Sequence, residues 1–253
     1  MAMPLTLLCL HGWGGSQESF DELRRALKGT DIVVLAPDFP GFGEAPEPRH
    51  PWTNEDYVTW VAKYIHEHIK GPYALLGHSH GGRIAIKLSS TLPTGHLPRR
   101  QAGCPLPTHL FLCAPAGIRH PRHIKRIIGL TLAKTGKFFL SIPGFKYLQP
   151  LGKKILYKLV RVHDYEKASP VMRQTLINIA REDLRPLLSK VTIPTDIFWG
   201  RDDRMTPYID AQIIHKGIKD SILHTFPGIR HRVHRDKAKE IAEVIHDRID
   251  QHA

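Results

Sequence analysis

Leu75-Leu76-Gly77-His78-Ser79-His80-Gly81-Gly82 is the stretch on which the reading of the fold turns. It closes a short apolar run, Tyr73–Leu76, and opens an amphipathic one, Gly81–Ser90, that carries Ile84, Ala85 and Leu88 at helical spacing. A buried strand followed at once by a helix is the structure these runs predict. A Gly-x-Ser-x-Gly turn between the two lifts the serine hydroxyl into the open, because small residues on either side let the backbone pass itself. The start of the helix also leaves N–H groups unpaired near any negative charge that develops there. An ordinary glycine-rich turn has the same composition, so the rest of the chain decides between the two.

Outward from Ser79, short apolar runs alternate with helical segments. Leu5–Leu10, Ile32–Ala36, Tyr73–Leu76, Leu110–Cys113, Thr195–Trp199 and Ile222–Phe226 read as strands. Glu18–Leu27, Asn54–Ile69, Gly81–Ser90, Ile209–Lys216 and Lys237–Ile249 read as helices, with Thr53 as the cap of the second. This alternation predicts an α/β fold with a mostly parallel sheet covered by helices. Between Gly117 and Lys190 the strand signal stops, and His123–Ala133, Leu151–Val160 and Val171–Ala180 read as helices. We therefore divide the chain into a core, residues 1–116 and 191–253, and a helical insertion, residues 117–190, that serves as a cap. Insertions at loop positions are tolerated and often carry function.

Three further stretches follow strands and complete a chemistry. His11-Gly12-Trp13-Gly14-Gly15 can aim backbone N–H groups at an oxyanion, with Trp13 as one donor and His80, the residue after Ser79, as the other. A phosphate loop is a poor alternative there, because neither a Walker lysine nor a Gly-x-Gly-x-x-Gly spacing is present. Trp199-Gly200-Arg201-Asp202-Asp203 places carboxylates just past a strand, with Asp203 the chosen acid and Asp202 the reserve. Ile229-Arg230-His231-Arg232-Val233-His234 follows the last strand, with His231 the chosen base and His234 the reserve. A single histidine among 17 carries little weight. The order Ser79, Asp203, His231, each past a strand end, carries more, because a nucleophile, an orienting acid and a base are the parts an acyl-transfer site needs. Pairs such as His78 with His80, or His231 with His234, lack a further ligand at recognisable metal spacing, so neither a metal nor another cofactor is expected.

These motifs together resemble the α/β-hydrolase superfamily, and within it the capped serine carboxylesterases. Asp38-Phe39-Pro40-Gly41-Phe42-Gly43 adds to the likeness. The resemblance implies a Ser-His-Asp triad and two backbone N–H donors for the oxyanion. Its departures are informative. The chain begins at the strand that leads to the Trp13 loop, so a six-stranded sheet without the usual N-terminal hairpin is expected. Arg230 stands where a glycine commonly precedes the base. Serine at position 79 separates the chain from relatives of this fold that use an aspartate there.

Composition narrows the rest. Hydrophobic residues make up 42% of the 253, enough for a core and against disorder. Three cysteines, Cys9, Cys104 and Cys113, suggest a reduced, cytoplasmic protein without disulfides. The N-terminus lacks the basic start and cleavage site of a signal peptide. The formal charge is +12, and residues 117–167 hold twelve basic but only two acidic side chains, with apolar residues including Phe138 and Phe139 between them. A solvated basic face over an apolar lining accounts for this pattern, with Phe138 and Phe139 contacting substrate. Contact with an anionic membrane surface or an acidic amphiphile is the alternative, whereas no nucleic-acid module is present. The expected activity is hydrolysis of a small-molecule carboxylic ester with an apolar or acyl-chain group. Thioester, lactone or carbon–carbon bond cleavage, or a low-turnover binding role, stay open.

Overall fold

The computed structural model describes residues 5–91, 105–120 and 168–250. Six strands, β1 (Leu5–Leu10), β2 (Ile32–Leu35), β3 (Tyr73–His78), β4 (Leu110–Cys113), β5 (Thr195–Gly200) and β6 (Ser221–Phe226), form one sheet in the order β2-β1-β3-β4-β5-β6. Every neighbouring pair is parallel. The reason is visible in the sequence: β3, β4 and β5 are buried along their whole length, as strands covered by helices on both faces must be. The edge strands β2 and β6, and the first two residues of β1, are partly open.

The helices are α1 (Asp21–Ala26), α2 (Asn54–His68), α3 (His80–Thr91), α4 (Pro170–Arg181), α5 (Arg185–Leu188), α6 (Tyr208–Gly217), α7 (Val233–Asp236) and α8 (Ala238–Asp250). Thr53 caps α2 as its sequence suggests, for its backbone N–H donates to Asp56 Oδ2 over 2.7 Å and its hydroxyl oxygen accepts from the Asp56 N–H. The single helix expected over Glu18–Leu27 is instead a 3₁₀ turn, Gln17–Phe20, followed by α1. Phe20 lies outside the helical region at φ −111° and its side chain is fully buried, so packing sets the break. The short helices α5 and α7 carry too few residues to show a period and were not legible as helices.

Strand order reverses between β1 and β3, because the chain steps from β1 to β2 on one side and then crosses to β3 on the other. In an open parallel sheet this reversal leaves a crevice at the strands' C-terminal ends. Register aligns those ends, with Leu10 opposite Gly77, His78 opposite Cys113, and Gly200 opposite Phe226. The loops after β1, β3, β5 and β6 therefore emerge on one rim.

Gly117 and Leu184 come together, since the Leu184 N–H donates to the Gly117 carbonyl over 2.9 Å. Helix α4 packs against the start of α2: Trp52 N–H donates to Thr175 Oγ1 at 2.9 Å, and Asn54 Nδ2 donates to the Ile179 carbonyl at 3.1 Å. The helices expected over His123–Ala133 and Leu151–Val160, the side chains of Phe138 and Phe139, and nearly all of the basic stretch lie outside the described residues. Among the described residues, no helix is long and apolar enough to cross a membrane.

Away from this rim, Asp196 knits the opposite side of the sheet together. Its carboxylate is buried and accepts from His109 Nε2 at 2.8 Å, His224 Nε2 at 2.5 Å and Arg248 Nε at 3.0 Å, joining β4, β5, β6 and α8. Burial alone would raise its pKa, but these donors outweigh burial and hold it far below the usual carboxylate range. A depressed folded-state pKa stabilises the fold above the unfolded value of about 4 and loses that contribution as pH falls toward the folded one. Asp196→Asn is therefore expected to cost about 3 kcal/mol at neutral pH, and the difference from wild type should shrink below about pH 4. Urea denaturation across pH measures this, and equal stability at pH 7 would refute it.

Candidate active site

Ser79 occupies the turn between β3 and α3 with φ at +51°, a left-handed conformation rare for a residue with a side chain. Such strain costs on the order of 1–3 kcal/mol and persists only where its surroundings enforce it. Here the backbone is held on both sides. Ser79 N–H donates to the Cys113 carbonyl at 3.1 Å, and the Ser79 carbonyl accepts from Ala116 N–H at 2.8 Å and from Arg83 N–H at 3.0 Å. Glycine is required at two neighbours for lack of space. A Cβ on Gly77 would stand 2.6 Å from the Gly81 carbonyl oxygen, and one on Gly81 would run into the Leu10 and His11 carbonyl groups. Strand, turn and helix thus interlock with the end of β1.

Asp203 and His231 meet across the loops that follow β5 and β6. His231 Nδ1 lies 2.7 Å from Asp203 Oδ2, and both residues are buried. The contact fixes the useful tautomer: Nδ1–H donates to the carboxylate, so Nε2 carries the lone pair. Asp203 accepts three more hydrogen bonds, from Met205 N–H at 2.7 Å, Thr206 N–H at 3.1 Å and the Thr206 hydroxyl at 2.7 Å. Burial would push its carboxyl pKa up, but the hydrogen bond and charge of His231, with help from Thr206 and Met205, bring it below the ordinary value. Asp202, the reserve acid, is exposed and its N–H is spent on the Ile229 carbonyl.

The reserve base has another place. His234 is buried, its ring centroid 3.7 Å from that of His78 with the two planes tilted by 31°, and burial pushes its pKa down to about 3. His78 in turn donates from Nε2 to the His231 carbonyl over 3.0 Å. Burial, and after it the proximity of His234 and His231, hold His78 well below the usual histidine range. The structure so ties the residue before Ser79 to the backbone of His231. Among the described residues, the Ser79 hydroxyl makes no hydrogen bond to His231.

On the other side of Ser79, Gly14 takes φ +73° and Gly15 N–H donates to the Gly12 carbonyl at 3.0 Å, folding the Trp13 loop back on itself. His11 holds this loop in place. Its Nε2 accepts from Phe39 N–H at 2.9 Å, which makes Nδ1 the protonated nitrogen, and Nδ1–H donates to the Gly12 carbonyl at 2.8 Å. The Trp13 ring packs edge-on against Phe42 and His80. His80 opens α3, whose first N–H groups have no partner within the helix. Its own side chain faces Tyr57 and Phe39, and burial keeps it neutral. Sequence reading named Ser79, Asp203, His231, Trp13 and His80. It weighed His78 only as a metal ligand and gave no role to His11 or Thr206, because a histidine or threonine in a loop has no periodic signal.

Among the described residues, no group of three His, Cys, Asp or Glu side chains could hold a metal ion.

A six-stranded parallel sheet with a strained serine turn at its crossover is the architecture of an α/β hydrolase. The chain belongs to the alpha/beta hydrolase family, whose sequence model matches residues 7–244. A pimeloyl-[acyl-carrier protein] methyl ester esterase of Neisseria meningitidis is 28% identical over 254 residues, covering 95% of this chain and 91% of the relative. The monoglyceride lipase of Homo sapiens is 24% identical, covering 94% of this chain and 78% of that enzyme. In fold, the chain is similar to an esterase from Exiguobacterium antarcticum, with a TM-score of 0.70 at 21% identity over 99% of this chain and 93% of the other.

Gly81→Ala tests whether the turn is as tight as it looks. Overpacking of this kind costs about 1–3 kcal/mol, so the urea midpoint should fall. An unchanged midpoint would mean the turn has slack.

Proposed function

We propose that this chain is a serine hydrolase that cleaves a carboxylic ester through an acyl-enzyme, with Ser79 as nucleophile, His231 as base and Asp203 as the acid that orients it. One observation carries the reading: the 2.7 Å contact between His231 Nδ1 and Asp203 Oδ2, on the rim where Ser79 stands in a left-handed turn. That tautomer makes Nε2 the proton acceptor. In the first step Nε2 takes the Ser79 hydroxyl proton as Oγ bonds to the ester carbonyl carbon, and the carbonyl electron pair moves to its oxygen. The N–H groups of Trp13 and His80 receive that oxyanion. Its collapse breaks the bond to the leaving oxygen, which takes the proton from His231 and departs as the alcohol. Water then repeats the sequence on the acyl-enzyme and frees the acid. In this reading the hydrogen bond from the Ser79 hydroxyl to His231 Nε2 forms when substrate is bound, as catalytic hydrogen bonds commonly tighten only in the complex.

The names of the relatives support an ester with an acyl chain, since one acts on a pimeloyl methyl ester and another on a monoglyceride. In this reading residues 117–190 form the cap, and Phe138 and Phe139 contribute to the acyl pocket. The joined ends of the insertion at Gly117 and Leu184 support that division.

An activated ester and a fluorophosphonate probe test the mechanism. Ser79→Ala should lose probe labelling and at least about 10³-fold in turnover while staying folded. Asp203→Asn should lose about 10⁴-fold, because the wrong tautomer then faces the serine. Asp202→Asn should keep wild-type turnover. Hydrolysis by folded Ser79→Ala near the wild-type rate would end the proposal, and a crippled Asp202→Asn would move the acid.

A further inference from the structure

The Thr206 hydroxyl lies where three parts of the site meet. It donates to Asp203 Oδ2 over 2.7 Å, stands 3.2 Å from His231 Nδ1, and is 3.4 Å from the Ala114 carbonyl oxygen. Ala114 belongs to the same turn as Cys113 and Ala116, the two residues that grip the backbone of Ser79. The rest of Thr206 is held by other means. Its N–H donates to Asp203 Oδ1 at 3.1 Å, and its carbonyl accepts from the Trp199 indole N–H at 3.1 Å. The hydroxyl is therefore not needed to keep the residue in place.

We propose that Thr206 is a positioning residue of the hydrolytic site, whose hydroxyl shares Asp203 Oδ2 with the imidazole and so sets the orientation of His231. The inference rests on the roles given above to Ser79, Asp203 and His231. A carboxylate oxygen offers two lone pairs. One receives the Thr206 hydroxyl and the other the His231 Nδ1–H. A lone pair of the same hydroxyl faces Nδ1–H, which braces the ring against sliding off the carboxylate. The shorter distance to Asp203 makes it, rather than Ala114, the main acceptor of the Thr206 proton.

The other groups around His231 leave this role to Thr206. The His78 ring lies 4.9 Å away and contacts the base through its backbone carbonyl. His234 lies beyond His78, and burial keeps both neutral. Arg230 and Arg232 are exposed, where solvent and salt damp their charge.

Steady-state kinetics on an activated ester, with kcat and KM separated, distinguish the outcomes. Thr206→Val and Thr206→Ala both lack the hydroxyl, one keeping the shape and the other relieving any crowding. Each is expected to lose about tenfold in kcat, the scale of one charge-assisted hydrogen bond. KM should stay within about twofold, as the hydroxyl makes no contact with the ground-state substrate in this account. Thr206→Ser should restore the rate. Wild-type kcat in the folded hydroxyl-free variants would overturn the proposal. A serine variant as impaired as the valine one would overturn it too, by assigning the role to the methyl group. Asp203→Asn, measured alongside, separates the two levels. If it retains wild-type turnover, the assignment of the acid fails; if it is crippled while Thr206→Val is unaffected, only the role of Thr206 fails.

Discussion

The turn at Ser79 is the constraint on which the rest of the molecule depends. A buried central strand must end, reverse its hydrogen bonding and enter a helix within two residues. No ordinary backbone does this, so Ser79 is left-handed and the chain passes within contact of β1 and of the loop after β4. The strain is supportable because it is shared. Ala114, at the end of the adjoining strand, is also left-handed at φ +43°, and its neighbours supply the hydrogen bonds that hold Ser79. Two strained turns side by side brace one another, and neither could relax without breaking the sheet's central register.

A second constraint is electrostatic. The rim collects the buried rings of His11, His78, His80, His231 and His234, and His231 faces the buried carboxylate of Asp203. If several of these rings were charged, their repulsion and desolvation would work against the fold. Burial keeps His78, His80 and His234 neutral, and His11 is drawn the same way. They act instead as neutral hydrogen-bonding and packing groups, most directly where His78 holds the His231 carbonyl. The charge that develops during proton transfer would then be confined to the one ring that faces Asp203. The four donors around that carboxylate, two of them backbone N–H groups, offset the cost of burying it.

Much of this was legible in the sequence, for reasons that differ from residue to residue. Strands announced themselves because buried parallel strands are continuous apolar runs. Ser79 was legible because its turn demands glycine at 77 and 81, and such a demand shows in composition. Asp203 and His231 were found by order and by their distance past a strand end, and their meeting at 2.7 Å could only come from the fold. The contacts of Thr206 and His78 were hidden for a physical reason. Their hydrogen bonds run to partners in a turn or remote in the chain, which leaves no period and no spacing. The break between the 3₁₀ turn and α1 was equally hidden, since it follows from where Phe20 is buried rather than from any breaker residue.

The junction at Gly117 and Leu184 joins two distant points of the chain beside the central strands. Gly117 and Leu184 are joined by a backbone hydrogen bond, and Gly117 at φ +139° presses against the Leu184 side chain. The core therefore sees a closed connection, whatever the length of the chain between. The entropic cost of a longer loop grows only with the logarithm of its length, so residues between these points can change with little penalty to the sheet. Helix α4 still communicates with the core, because Ile179 receives hydrogen bonds from Asn54 and from Arg83, a residue of the helix that begins just after Ser79. A change of position in α4 would reach the turn at Ser79 through one turn of α3. The stretch between Gly117 and Leu184 is thus joined to the core at its ends and tied to α2 and α3 through Ile179.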